Sequence, residues 1–474
     1  MPRIPALLRT NRWPLAAVGV LLLAVVAAAC YPPVPPGADF SVRSAQVLSG
    51  PTNEDEIDGV AAAPDGSAYV TGKFEGTATF GGTSLVSAGA ADIPLARVDP
   101  LGRVVWVQRF GGPGEDNFFD IDATTGRVVA TGWFSGTVAF GSVTLTASGP
   151  SDCVVVTFRP DGSTLWARAF GGPGRDGCNE VVVESSGTVT TSIDTEGGWT
   201  PLGDSAIPML GASDTVLMRL GPDGSPSWMR RAGGLGAQRG KALAVAPDGA
   251  VSFGGDTTGP LTIAATTTPL PAGGGTRDAW LSRWSPTGTL QWATTWGGPG
   301  DDLAKGVADD GSTVSYVGTF TGTITVGTTV LASGTGSDIL VAQRSTTGPV
   351  NWATAVTATA PLDGTEVTAA SDGGILFGSQ TAAGIRFGST AGGSIALDTA
   401  DGGTAWLAHY RPDGTPGFAR TIAGTVFGRV GEIARTGTRT YLDVTVWGPA
   451  NTVNGQPLPA VGKDASVWSL DLAG

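Results

Sequence analysis

The 474-residue chain contains one histidine, His409, so any chemistry that needs an imidazole must pass through it. A Ser-His-Asp or Cys-His arrangement requires a ring nitrogen to take the nucleophile's proton, and a histidine-rich metal site is impossible with one ring. In equivalent positions along the chain the His409 slot holds Arg97, Thr157, Arg219, Arg283, Gln343 and Ser469. It reads as a variable polar strand position and not as a catalytic one. Three cysteines are present. Cys30 follows an apolar leader, and Cys153 and Cys178 remain as a pair that is either a disulfide in an oxidising compartment or two separate buried thiols.

Carboxylates are the other reactive class, and they recur. Gly-Gly-Pro-Gly-x-Asp occurs at 111–116, 171–176 and 297–302. The segment is similar to the glycine-rich calcium loops of β-rolls, but those repeat about every nine residues so that successive turns share an ion. Two readings stand: Asp116, Asp176 and Asp302 accept backbone N–H groups in a tight crossover, or the loops hold calcium. In a second series, Asp92, Asp152, Asp214, Asp278, Asp338 and Asp464 each precede a strand by one residue. An aspartate there is expected to hold the adjacent loop through its amides. The tryptophans 106, 166, 228, 292 and 352 recur on another strand and read as packing between repeats, with a sugar platform as the alternative.

The elements that position these residues follow from a period. Gly66, Gly126, Gly187, Gly249, Gly311, Gly373 and Gly437 are 60 to 64 residues apart, each between two alternating apolar runs. Self-similarity at a fixed interval marks one supersecondary unit copied in tandem. In the unit at 57–110 the expected strands are a (57–63), b (68–74), c (93–98) and d (104–110). A short hairpin around Gly81-Gly82 lies between b and c, where glycine supplies a tight turn. The hairpin recurs around 140–141, 326–327 and 387–388. The chain after its leader opens with a d-like strand at 40–48 and closes with a c-like strand at 464–474. Joining the ends gives the fold expected here, an all-β, seven-bladed β-propeller of about 62 residues per blade over 39–474. Such a ring leaves no open edge between blades.

This unit, with Trp-(x)3-Phe-Gly-Gly-Pro-Gly-x-Asp, the Asp-Gly turn, the Phe-Gly hairpin and the Asp-led third strand, resembles the bacterial beta-propeller repeat family of SBBP type. The resemblance covers residues 40 to 474. It implies a propeller in an exported protein or lipoprotein, and it brings no catalytic residues.

The leader agrees with export. Arg3, Arg9 and Arg12 precede an apolar run, 13–29, ending in three alanines before Cys30. This pattern is a secretory signal, and its end is similar to a bacterial lipobox, with Cys30 as the lipid attachment site. An ordinary signal cleaved near the alanines, or an uncleaved anchor, are the alternatives. Residues 30–38 then form a proline-rich tether, stiff in the manner of polyproline II. No later apolar run of about 20 residues could span a bilayer as a helix. Without the leader's three arginines, 25 basic side chains face 41 acidic ones, a net charge near −16. That disfavours nucleic acid and anionic lipid as partners, since both need basic patches.

Short a–b and c–d turns leave the longer d–a and b–c connections together on the opposite face. There lie Glu54, Asp55, Glu115, Asp116, Asp301 and Asp302, and Cys153 and Cys178 fall on the same side, close enough for a bridge. Long connections on a rigid scaffold are where binding concentrates. Departures from the repeat mark site candidates: Gln238-Arg239-Gly240-Lys241, the stretch 193–204 with Glu196 and Trp199, and 357–366 with Asp363 and Glu366. The expected function is a monomeric, lipid-anchored envelope protein whose long-connection face binds a protein or glycan without catalysis and without a cofactor. The alternatives are a carboxylate-based glycan-active enzyme, which needs no histidine, and a structural surface protein with calcium-tightened loops.

Overall fold

A computed structural model describes residues 41–50, 55–198, 209–263, 275–362, 367–370, 372–380, 384–388, 394–397, 405–422, 428–437, 439–447, 452–453, 456–457 and 463–471. The signal at 1–29, Cys30, the tether at 30–38, Glu54, Trp199, Asp363 and Glu366 lie outside these residues. The described residues are β-strands, turns and bends, with no helix among them, and so none long and apolar enough to cross a membrane.

The first unit pairs Glu56–Ala62, Ala68–Phe80, Thr83–Val98 and Val104–Phe110 as an antiparallel meander, in the order a-b-c-d. Asn117–Ala123, Val128–Phe134, Asp152–Phe158 and Thr164–Phe170 repeat that order, and so do the units that follow. Ser41–Ser49 takes the d position beside Lys463–Asp471, with Leu48 opposite Ala465 and Gln46 opposite Val467. The two ends of the described chain therefore share one sheet.

Turn chemistry explains the short connections. In the a–b turn Asp65 Oδ1 accepts the Ser67 amide (2.9 Å) and the Ser67 hydroxyl (2.6 Å). In the c–d turns Asp161 does the same with Ser163, and Asp223 with Ser225. The glycine between takes positive φ, +82° at Gly66, which a side chain would oppose. Gly126 is the exception. Its φ is outside the left-handed region, in a turn closed by Thr124 N–H to Arg127 C=O; the Gly311 turn, closed by Asp310 N–H to Thr313 C=O, has the same shorter span but keeps a positive φ.

Burial shows why the middle strands are apolar throughout. Asp152–Phe158, Asp214–Leu220 and Asp278–Trp284 are buried at every position, whereas d strands are partly exposed. A strand covered on both faces loses the apolar–polar alternation of a half-solvated one. The covering comes from the neighbouring units. One core cluster joins Ile93, Leu95 and Phe110 to Phe118, Ile121 and Val154; the next joins Val155 and Trp166 to Val181, Val189 and Met218. A further cluster joins Tyr441, Ala465 and Val467 to Leu48, Ile57, Val60 and Val70, so the last sheet packs on the first. Tyr441 Oη donates to Gly66 C=O at 2.6 Å across the same contact.

Two recurrent groups work between units. Trp166, Trp228, Trp292 and Trp352 donate their indole N–H to a carbonyl in the c–d turn of the following unit, at 2.8–3.0 Å. They are packing residues, in line with the sequence reading. The hairpins do more than expected. In the first and fifth units the hairpin is an extension of b and c, and in the first, fourth and sixth units its first strand binds the d strand of the previous unit: Phe80 lies opposite Leu48, Ile263 opposite Ala232, Phe387 opposite Val356. They cover part of an exposed strand edge that would otherwise be open to pairing.

Candidate functional site

The start of each c strand and the start of the next a strand run side by side. Ser151 bridges Arg175, Ser213 bridges Ala237, and Arg277 bridges Asp301, all parallel. This brings the two aspartate series together. Asp92 Oδ2 accepts the Ala88 amide at 2.8 Å, Asp152 Oδ2 the Ser148 amide at 2.9 Å, and Asp338 Oδ2 the Gly334 amide at 2.8 Å. Asp116 takes the amides of Gly112 and Ser135, and Asp302 those of Gly298 and Thr321, one on each oxygen. Both aspartates are buried, so backbone amides occupy the acceptors that the calcium reading would assign to an ion. Burial raises the carboxyls of Asp116 and Asp176, and the neighbouring acids Asp92 and Asp152 add to it. Burial pushes Asp302 up to about 6, with Asp278 and Asp301 contributing.

Cys153 and Cys178 stand at one of these junctions, both fully buried, forming a disulfide with Cα atoms 4.9 Å apart. That junction adjoins a cavity of about 270 Å³ lined by Trp133, Ser151, Arg175, Asp176, Gly177, Asp194, Glu196, Ser213 and Arg239. Every one of these residues sits at the strand ends that meet the d–a and b–c connections. Asp176 Oδ2 accepts the Gly172 amide at 2.7 Å. Its Oδ1 is buried against the Thr195 hydroxyl, which opposes the rise of the carboxyl. Asp194 is held on both oxygens, by Asn179 Nδ2 (2.7 Å) and the Gly240 amide (3.1 Å), and Lys241 Nζ donates to Asn179 Oδ1 at 3.2 Å. Burial raises the Asp194 carboxyl, and Lys241 opposes the rise. Arg175, Glu196 and Arg239 are exposed at the rim, and Trp133 is half-buried.

The loops fit together because two glycines meet. A Cβ on Gly174 would stand 2.6 Å from Gly197 N, and one on Gly197 would stand 2.4 Å from Gly174 N. No side chain fits there, so the crossover at 171–176 can lie against the connection that carries Glu196.

The structure brings together Asp176, Glu196 and Arg239 from the sequence candidates, and with them Cys178, two residues beyond Asp176. Asp116, Asp302 and Asp55 lie outside this cavity lining; each is buried and accepts a backbone amide. Trp133 and Asp194 were not among the candidates. They share one b-strand slot, next to the residue opposite the c-strand aspartate, which elsewhere holds Lys73, Asp256 and Thr319. The signal that reveals them is this variability inside an otherwise constant strand. His409 lies apart from the cavity lining. Its Nε2 is 3.1 Å from Asp372 Oδ1 and its ring stacks on Phe418, so it ties a c strand to its own a–b turn as Arg97 does with Asp65. Among the described residues no three His, Cys, Asp or Glu side chains are grouped to hold a metal ion.

No protein-family model matches this sequence, and no curated protein matches it. Solved structures similar to it include a streptogramin B lyase (TM-score 0.44, 11% identity, covering 90% of this chain and 98% of that one). A puromycin hydrolase gives 0.43 at 14% identity over 90% of this chain and 57% of its own length. A luciferin-regenerating enzyme gives 0.36 at 10% identity, covering 90% and 96%. At these values nothing about the activities of those proteins carries over to this one.

Proposed function

We propose that the chain is a seven-bladed β-propeller of SBBP type, lipid-anchored at Cys30 on the bacterial cell envelope, that binds a partner through its d–a and b–c face without catalysis. Ring closure is supported by the pairing of Ser41–Ser49 with Lys463–Asp471 and by the core shared between the last sheet and the first. The observation that carries the binding reading is the cavity at the second junction. It departs from the repeat in having an aromatic ring, two guanidinium groups and three carboxylates converge on rigid strand ends. Cavities with a few converging polar groups are the usual form of a ligand site, and a ring of sheets alone is a weak guide to what is bound.

The test captures envelope components on the full-length chain and on a double charge reversal at the rim, Glu196→Arg with Arg239→Glu. A partner retained by the native chain and lost by the variant, at unchanged melting temperature, supports the reading. Equal capture by both proteins overturns it. The anchor is tested by Cys30→Ser, which should move the protein from the membrane to the soluble fraction.

A further inference from the structure

We infer that the cavity between Trp133 and Arg239 is a saccharide subsite that takes one uncharged pyranose ring with vicinal hydroxyls. The inference rests on the proposed binding role of this face and narrows it to a ligand class. The lining decides the class by elimination. An anion placed there meets Asp176, Asp194 and Glu196; a cation meets Arg175 and Arg239. A carboxylate only accepts hydrogen bonds and a guanidinium only donates them, while a hydroxyl does both. Adjacent hydroxyls on a ring can give a proton to one wall and take one from the other, leaving every polar group paired. Ser151 and Ser213 donate their hydroxyls to the carbonyls of Asp176 and Gln238, which leaves their oxygens as acceptors in the lining.

Two further features agree. Trp133 is half-buried in the lining, and an indole face covers the C–H side of a sugar ring while hydroxyl groups point outward. Asp194 is immobilised by Asn179 and the Gly240 amide, so its position is fixed before a ligand arrives. The volume, about 270 Å³, is just under the range of about 300–1000 Å³ typical of small-molecule sites. It suits one ring at a time, with longer chains running out across the rim at Glu196 and Arg239.

Saturation-transfer NMR on the full-length chain tests this with methyl glucoside, methyl galactoside, methyl mannoside and N-acetylglucosamine, and with glucuronate and glucosamine as charged controls. The expected result is saturable binding of at least one neutral sugar, at least about tenfold weaker in Trp133→Ala and in Arg239→Ala. The charged controls should bind more weakly than their neutral counterparts. Trp133→Phe and the exposed Glu196→Gln keep the test valid where Trp133→Ala fails to fold: the first should retain binding in part and the second should weaken it. No saturable neutral sugar, tighter glucuronate or glucosamine, or binding unchanged in every variant overturns the saccharide subsite. Loss of partner capture in the rim charge reversal without any sugar binding leaves the binding face standing and removes only the sugar; capture that ignores the reversal removes the face itself.

Discussion

Two junctions built on the same pair of aspartates differ in what neutralises them. At the first, Asp92 lies beside Asp116 and receives an ion pair from Arg109 on the adjoining d strand. At the second, Asp152 lies beside Asp176, and the d-strand position opposite Val154 is Ala169, where Pro94 faces Arg109 in the first. Among the described residues no guanidinium pairs with Asp152. A disulfide takes over the fastening, and the arginine that is present, Arg175, stands at the rim of the cavity. The same backbone amides hold the second aspartate in both, through Gly112 and Gly172. The repeat thus supplies the geometry, and substitutions at two or three variable slots turn one copy from a closed seam into an open pocket.

The largest way to break the comparison is to remove the staple. The disulfide closes a separation of 25 residues between the c strand of one unit and the a strand of the next. A cross-link of that span stabilises a fold by about 3 kcal/mol through the unfolded chain. Cys153→Ser with Cys178→Ser should lower stability by about that amount in denaturant melts. Mass spectrometry of alkylated, unreduced protein should show neither cysteine modified in the native chain. Alkylation of both, or an unchanged melt, would show that the second junction does not depend on the bond.

Much of this scaffold was legible in the sequence, and the reason is local. The Asp-Gly turns are satisfied within two residues, as Asp65 is with Ser67, so their signature survives in any copy. The aspartate opening each c strand closes its loop four residues back, which is equally local. The hairpins were legible as hairpins but not as links, because Phe80 finds Leu48 across a unit boundary and no short pattern encodes that partner. The site was legible in part. Arg239 and Glu196 break the repeat visibly, whereas Trp133 looks like an ordinary strand aromatic until the fold sets it against Gly177 and Arg175. For the acids of 111–116 and 297–302 the amide contacts follow the first of the two readings that the sequence left open. Their exposed-looking loops bury the carboxyl under amides.

A pH series sharpens the contrast further. At the junction of Asp278 with Asp302, burial first and then the nearby acids push the Asp302 carboxyl up to about 6. The folded chain then holds a proton that the unfolded chain, titrating near 4, has already released. Stability from this group is therefore greatest below about pH 4 and falls as the pH rises towards 6. Asp302→Asn carries no such proton. Relative to the native chain its stability should improve by about 2 kcal/mol between pH 4 and pH 7, whatever constant cost the lost amide contact adds. A difference that stays flat with pH would mean that Asp302 ionises as an ordinary carboxyl does.

The smallest effect is the most direct exchange between the two junctions. Arg109 is about one-third exposed and Asp92 is fully buried, so solvent screens part of their attraction. Arg109→Ala should cost about 1 kcal/mol and should raise the Asp116 carboxyl further, since Asp92 then bears on it without a counter-charge. Ala169→Arg is the reverse move. Its backbone register against the c strand is that of Arg109, so the guanidinium should reach Asp152, lower the Asp176 carboxyl and change stability by less than about 1 kcal/mol. Carboxyl-carbon NMR titrations of the two variants should therefore move in opposite directions. Shifts of the same sign, or none, would mean that the two aspartate pairs are held by their amides alone and that the arginine is incidental to the difference between seam and pocket.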